Sequence, residues 1–222
     1  MPKNGLNVAL KGLDDLFSSE ETRQEEQREQ VQQIPVSELF PFKNHPFKVL
    51  DDDAMTRTVE SISQFGVLAP LIARPRPEGG YEIISGHRRQ HAAQLAGLET
   101  LPVIVRNMDD NAAVLLMVDS NLQRENILPS ERAFAYKMKL DAMKRQGQRT
   151  DLTLSPVATK LDTAAQLGRQ SGESRDQVFR FIRLTNLIPE ILELVDNSVL
   201  KDPETLQIAL RPAVELSYLR KE

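Results

Sequence analysis

The alternation of hydrophobic and polar positions changes character near residue 128 of the 222-residue chain. Before that point, short β-branched runs are interleaved with amphipathic stretches, which predicts a mixed α/β region. Its predicted strands span residues 34–39, 71–73, 81–84 and 101–105, and its predicted helices span residues 53–65, 88–95 and 111–122. Gly66 directly follows the first of these helices and Gly97 lies two residues after the second, as glycine often does near a helix C-terminus.

After Pro129 the strand signals stop and apolar residues recur at helical spacing. The predicted helices span residues 130–145, 162–170, 174–184, 189–196 and 203–219, with a loop over residues 147–156. We therefore expect an α+β protein with a mixed α/β domain at residues 34–128 and an all-helical domain at residues 129–222. The polar residues 18–33, rich in Glu and Gln, favour a flexible tip and linker over residues 1–33.

The composition excludes several classes of function. The chain has no Cys, which rules out thiol catalysis, disulfides and Cys-ligated zinc. No apolar run is long enough for a membrane span, and the N-terminus lacks the apolar core of a secretory signal, so we expect a cytoplasmic protein.

The net charge of −4 argues against nucleic-acid binding, yet residues 129–183 hold 11 basic and 6 acidic side chains. This basic block is either a nucleic-acid contact or a solvated helical face.

Residues 161–184 have the spacing of a helix-turn-helix. Gly172 permits the turn between the two helices, and Ser174 is placed to cap the second one. The residues expected to pack the two helices are Ala164, Ala165, Leu167, Val178, Phe181, Ile182 and Leu184. The residues expected to project outward and contact DNA are Ser174, Arg175, Gln177, Arg180 and Arg183. The alternative is a two-helix corner that binds no nucleic acid.

The most distinctive segment is SGHRRQHAAQLAG at residues 85–97, where a predicted strand passes directly into a helix. Gly86 lets the backbone approach a ligand, and the free N–H groups at a helix start favour an anion. Arg88 and Arg89 carry forked donors that match phosphate oxygens. A second polar cluster follows the 111–122 helix, with Asn121, Gln123 and Arg124 as further candidate polyphosphate contacts. Neither segment is a P-loop or a Rossmann fingerprint.

Together these segments resemble the ParB family of chromosome and plasmid partition proteins. The resemblance rests on GVLAPLI at residues 66–72, SGHRRQHAAQLAGL at 85–98, LPVIVR at 101–106 and SNLQRENILPSERAFAY at 120–136. The helix-turn-helix follows at the family's usual distance. LKGLDDLF at residues 10–17 looks like the family's ParA-contacting tip.

The resemblance implies a fold, a ligand and partners. It implies a nucleotide-binding domain that holds CTP with Mg²⁺, coupled to a helix-turn-helix that reads a palindromic centromere-like site in double-stranded DNA. It further implies a homodimer that closes into a DNA clamp, a ParA-type ATPase bound through residues 1–17, and association with a nucleoid or plasmid and with no membrane. By position, the phosphate contacts would be Ser85, Gly86, Arg88 and Arg89, and the triphosphate and metal side would hold Asn121, Gln123 and Arg124, with Asn121 at the metal.

Three positions depart from the family pattern. His87 and Ser120 stand where the family usually has Glu, and Ala69 replaces the Gln that often precedes Pro-Leu. Carboxylates are the natural groups to hold Mg²⁺ or position an attacking water. We therefore expect nucleotide binding with weak hydrolysis, and no catalytic residue is assigned.

The same sequence features are compatible with other functions. A transcriptional or nucleoid-occlusion regulator would share both halves, and would need no ParA-contacting tip. A small-molecule kinase with His87 as its base is less favoured because of the attached helix-turn-helix. His87 and His91 share a helical face, but no third metal ligand is evident. His45 is interpreted as a turn residue. Sulfiredoxin resembles the same block, but its chemistry needs a thiolate.

Overall fold

The computed structural model describes residues 30–124, 126–150, 156–200 and 205–219. The predicted tip and most of the linker, including the segment predicted to contact ParA, lie outside the described residues. None of the described helices is both long and apolar enough to cross a membrane.

A five-stranded mixed sheet forms the centre of the N-terminal half. Its strands are β1 (Val31–Pro35), β2 (Leu39–Phe40), β3 (Leu71–Pro75), β4 (Tyr81–Ser85) and β5 (Thr100–Val105). They lie in the order β1-β5-β3-β4-β2. The pairs β1–β5 and β3–β4 are antiparallel, and the pairs β3–β5 and β2–β4 are parallel.

Three helices accompany the sheet: α1 (Asp53–Phe65), α2 (His87–Leu95) and α3 (Asp110–Leu122). The first and third begin at aspartate caps. Asp52 accepts the N–H of Met55 at 2.8 Å, and Asp109 accepts the N–H of Ala112 at 2.8 Å. Such caps satisfy backbone donors that have no partner within the helix. The three predicted helices of this half are confirmed to within a residue.

The described part of the C-terminal half contains five helices: α4 (Pro129–Thr150), α5 (Pro156–Ser171), α6 (Arg175–Leu184), α7 (Pro189–Leu200) and α8 (Leu210–Leu216). Helix α4 contributes to two cores. Tyr136 packs into a cluster with Leu167, whereas Ala135 belongs to a second cluster with Met117 of α3. One helix therefore joins the sheet-containing half to the helical half.

The predicted strand over residues 34–39 is wrong. Instead β1 begins at Val31 and ends at Pro35, and residues 36–38 form a 3₁₀ turn before the two-residue β2. Proline has a fixed φ and no N–H donor, so Pro35 ends the strand.

The helical boundaries after residue 145 also differ from the prediction. Helix α4 continues to Thr150 and α5 begins at Pro156, so residues 147–150 and 156 are helical where a loop is predicted. Residues 151–155 lie outside the described part. The predicted helix over 203–219 is restricted to α8, and residues 205–209 are not helical. Proline is tolerated in the first turn of a helix but not in its interior, and Pro212 lies in the first turn of α8.

Candidate functional site

A cleft of about 180 Å³ opens between the start of α2, the end of α3 and residues 41–50, a segment that we call the strap. Its lining residues are His45, Phe47, Lys48, Val49, Ser85, Gly86, His87, Arg88, Arg89, Ser120, Asn121 and Arg124. This lining contains one lysine and three arginines and, among the described residues, no carboxylate. The cleft is thus suited to an anionic ligand.

Most residues that the sequence marked as ligand contacts come together here. The cleft is lined by Ser85, Gly86, Arg88, Arg89, Asn121 and Arg124. Gln123 is exposed at the C-terminal cap of α3 and is not part of the lining. The contact of each residue with a ligand stays a prediction.

Gly86 shapes the floor of the cleft. Its φ is +108°, and a Cβ atom there would lie 2.8 Å from Cγ of the buried Leu71 and 3.2 Å from Nη2 of Arg89. Helix α2 starts at this glycine without a side-chain cap. Its first N–H groups therefore remain available to an anion.

The arginines of the cleft are held differently. Nη1 of Arg89 donates to the carbonyl oxygen of Pro70 at 2.8 Å and also to that of Ala69, and burial lowers the pKa of Arg89. Nη2 of Arg88 lies 3.5 Å from a carboxylate oxygen of Asp52. Arg124 pairs with no described carboxylate. Arg89 thus positions the segment before β3, while Arg88 and Arg124 keep more of their donors free.

A pair of histidine rings in contact, with their planes tilted by 35°, forms one wall of the cleft. The rings of His45 and His87 have centroids 3.8 Å apart. Nε2 of His87 accepts the N–H of Phe42 at 3.2 Å, and Nδ1 of His45 donates to the carbonyl oxygen of Phe47 at 2.8 Å. Burial, with a smaller effect from His45, lowers the pKa of His87 to about 3, and burial also lowers the pKa of His45. Both rings are therefore neutral at pH 7.

The interpretation of His45 as a turn residue missed its place in the cleft. Its Nε2 atom is buried and has no hydrogen-bond partner. No sequence pattern could have identified this role, because the partner ring belongs to a helix far along the chain.

The residues of the cleft do not form a metal site by themselves. His91 is bonded to Asp51 at 2.7 Å, so it does not join His87 in a zinc pair. No group of three or more His, Asp or Glu that could hold a metal occurs in the described ranges. The amide nitrogen of Asn121 donates to Met117 at 2.8 Å, which leaves only a neutral side-chain oxygen for Mg²⁺. Since Mg²⁺ prefers carboxylates and phosphates, this lining does not fit a protein-held magnesium ion.

Helices α5 and α6 form the predicted helix pair. Ser174 caps α6 by accepting the N–H of Gln177 at 3.1 Å, and Gly172 adopts a φ of +68° in the turn. The sequence pattern predicts a role in the turn for Gly172 but none for Gly168. A Cβ atom at Gly168 would lie 2.6 Å from the carbonyl oxygen of Glu173. The close approach of the turn to α5 therefore requires glycine at 168.

The faces of α6 follow the expected pattern with one exception. Of the positions predicted to pack, Val178, Phe181 and Leu184 are buried, and Ile182 is half-buried against the same core. Of the predicted DNA contacts, Ser174, Arg175 and Arg180 are exposed, and Gln177 is half-buried.

The exception is Arg183, which does not project outward as predicted. Its Nη2 donates to the carbonyl oxygen of Ser217 at 2.8 Å, and its guanidinium lies 3.8 Å from the ring centroid of Tyr218. The residue sits in the last turn of α6, where the segment at the end of α8 packs against it. Arg183 thus fastens that segment to α6.

A buried lysine connects the end of α3 to the helix pair. Nζ of Lys139, on α4, donates to the carboxylate of Asp119 and to Oε1 of Gln170 on α5, the latter at 2.8 Å. Lys139 is 3% exposed. Asp119 directly precedes the two residues of α3 that line the cleft, so the hydrogen bonds of Lys139 connect this end of α3 to the helix pair.

Comparison with known proteins agrees with this architecture. Residues 20–122 match the family model of the ParB N-terminal domain. Stage 0 sporulation protein J of Bacillus subtilis is 34% identical over 190 residues, which are 86% of this chain and 60% of that protein. A nucleoid occlusion protein of a Geobacillus species is 32% identical over 146 residues, 64% of this chain and 52% of that protein.

A solved structure shares the fold. The N-domain of a pNOB8-like ParB aligns with a TM-score of 0.55 at 16% identity, covering 84% of this chain and 78% of that one. The chain spans about half to three fifths of the length of these two curated relatives. On the domain match and the identities to its relatives, the chain belongs to the ParB family.

Proposed function

We propose that this chain is a DNA-binding partition protein whose N-terminal cleft binds CTP and gates a dimeric clamp on a palindromic site. The observation that carries the nucleotide part is the cleft at the start of α2, lined by Lys48 and three arginines without a described carboxylate. Family membership supports the choice of CTP as the nucleotide and of DNA as the partner.

Phosphates would lie at the start of α2. The free N–H groups that follow Gly86 would hold one phosphate, and Arg88 and Arg124 would contact the others from opposite sides of the cleft. Arg89 would act mainly through the backbone that it fastens. Ser85 and Asn121 would supply neutral hydrogen bonds.

Hydrolysis of the nucleotide is expected to be slow. The position of the family's usual glutamate is occupied by His87, whose low pKa makes it a weak proton acceptor and whose Nε2 is already bonded to Phe42. The same bond weakens the alternative of a kinase that uses His87 as its base. Any Mg²⁺ would be held chiefly by the phosphates of the nucleotide.

The helix pair supplies the proposed DNA contact. Arg175 and Arg180 project from the exposed side of α6, whereas the opposite side is packed into the helical core. This polarity suits a recognition helix whose first residues reach base edges and whose later residues reach phosphates. Arg175 can pair with a guanine edge and Gln177 with an adenine edge.

A nucleoid-occlusion or transcriptional regulator is the second candidate, and the similarity to a nucleoid occlusion protein favours keeping it. A partition protein would use residues 1–17 to stimulate a ParA-type ATPase. Deleting these residues should abolish stimulation if the chain partitions DNA. If the chain is a regulator, neither the chain with residues 1–17 nor the chain without them should stimulate the ATPase.

The nucleotide proposal is tested by titrating the purified chain with CTP by calorimetry. Arg124→Gln and Arg88→Gln should each weaken binding about tenfold, since each removes a charge-assisted contact with phosphate. Arg76→Gln is the matched control, because Arg76 stacks on Phe40 outside the cleft. Equal affinities of all three variants would reject the assignment of this cleft.

A further inference from the structure

Lys48 makes two polar contacts between the strap and the helical half. The backbone N–H of Lys48 donates to Oε1 of Glu131 at 2.6 Å, and its Nζ lies 3.2 Å from Oδ2 of Asp196. Glu131 belongs to α4 and Asp196 to α7. Both contacts therefore cross from the segment that covers the cleft to the helices behind it.

Asp196 does not depend on the lysine alone. Its two oxygens also accept the N–H of Ser130 at 2.9 Å and the hydroxyl of Ser130 at 2.6 Å. These donors lie at the start of α4, where the helix dipole favours a negative charge. The carboxylate, 4% exposed, keeps two hydrogen bonds if Lys48 moves away.

Lys48 has the freedom to change its partner. Its side chain is 52% exposed and also lines the cleft. Because the bond to Glu131 is made by the backbone, the ammonium group can swing while the strap stays in place. A half-exposed ion pair contributes little stability, so it is readily exchanged for another anion.

We propose that Lys48 is a further phosphate-binding residue of the cleft and that CTP competes with Asp196 for its ammonium group. This inference rests on the proposed nucleotide binding. In the absence of ligand, the ammonium holds the strap to α7. When a polyphosphate enters, the ammonium turns to it and joins Arg88 and Arg124, and the bond between the strap and α7 is lost.

Competition predicts opposite effects for the two partners of the ion pair. Lys48→Met should weaken CTP binding about tenfold, because it removes a charge-assisted contact with phosphate. Asp196→Asn should tighten CTP binding about threefold, because it removes the competing carboxylate. When Asp196→Asn is added to Lys48→Met, it should have no further effect. The CTP affinity of this double variant should therefore equal that of Lys48→Met alone. Inorganic tripolyphosphate should show the same order of affinities.

Lys43→Met is the matched control. Lys43 lies on the same strap and is exposed, but it does not line the cleft. Thermal unfolding of each variant establishes that it is folded. If Asp196→Asn does not fold, the comparison of Lys48→Met with Lys43→Met decides the proposal.

The outcomes separate this inference from the proposed function. If the wild-type chain binds neither CTP nor tripolyphosphate, both are rejected. If it binds CTP, but Lys48→Met and Lys43→Met bind equally well, only the role of Lys48 is rejected. A folded Asp196→Asn that binds CTP more weakly than wild type would likewise overturn the competition.

Discussion

The rings of His45 and His87 are in contact in the cleft wall, with centroids 3.8 Å apart and planes tilted by 35°. Among the described residues, each ring hydrogen-bonds only to the backbone of the strap. The imidazole of His87 thus fixes residues 42–47 against the start of α2. Protonation of either ring would place a charge in a buried pair that already faces Arg124. The shape of the cleft therefore depends on both imidazole rings being neutral.

A pH-dependent loss of stability follows from this pair. The pKa of His87 is about 3 in the folded chain, below its ordinary value of 6.5, so the unfolded chain binds more protons between these values. Stability is complete above about pH 6.5 and falls as the pH is lowered towards 3. Between pH 7 and pH 5 the wild type should lose about 2 kcal/mol more than His87→Gln, whose amide oxygen can still accept from Phe42. Urea unfolding at each pH measures the free energy of unfolding of both proteins. An equal loss in wild type and His87→Gln between pH 7 and pH 5 would contradict the prediction.

Gly86→Ala should destabilise the chain more than Gly97→Ala. Both glycines have positive φ, but only at Gly86 does a Cβ atom meet the core, 2.8 Å from Leu71. We expect a loss of about 3 kcal/mol for Gly86→Ala and about 1 kcal/mol for Gly97→Ala, measured by urea unfolding. Similar losses of unfolding free energy in the two variants would mean that the close approach of Leu71 to Gly86 does not affect stability.

Gly168→Ala tests the turn between α5 and α6 through the sign of its effect. An alanine inside a helix normally stabilises it by about 1 kcal/mol relative to glycine. Here the Cβ atom would lie 2.6 Å from the carbonyl oxygen of Glu173, so we expect a loss of about 2 kcal/mol instead. Thermal unfolding reports the sign, and a stabilised variant would show that the turn can move away from α5.

Arg180→Gln and Arg183→Gln should separate DNA contact from structural support. The exposed Arg180 should contribute one phosphate contact, so its loss should reduce the slope of log affinity against log salt by about 0.9 without changing stability. Arg183 is bonded to Ser217, so its loss should lower the free energy of unfolding by about 1–2 kcal/mol. Fluorescence anisotropy with duplex DNA and urea unfolding measure the two effects. The assignment fails if Arg183→Gln leaves stability unchanged but reduces the salt slope.

Sequence patterns predicted the elements whose signals are local. The N-terminal cap at Ser174, the glycine turn at Gly172 and the strand-to-helix junction at Gly86 depend on neighbouring residues, and the structure places all three as expected. Most of the predicted cleft residues also come together, at two element ends that the fold brings side by side. The family resemblance, and not a local pattern, implied that these two ends meet.

Features that depend on distant partners were not predictable in this way. The pattern on α6 assigns Arg183 to the exposed face, but α8 packs there and engages it. Lys48 and His45 belong to a segment without periodicity, and their partners Asp196 and His87 are far away in sequence. Periodicity describes which side of an element is apolar, and it does not specify which other element covers the rest.

The buried contact of Lys139 constrains how this protein can be recombined with its relatives. A hybrid that joins the cleft of one protein to the helix pair α5–α6 of another would naturally be cut at the start of α4. Such a cut separates Asp119 from Lys139 and Gln170, which bond to one another across it. If the donor sequence lacks the matching carboxylate, an ammonium group stays enclosed without its counter-charge, at a cost of about 3–5 kcal/mol. A hybrid should therefore fold stably only when Asp119, Lys139 and Gln170 are taken from the same parent.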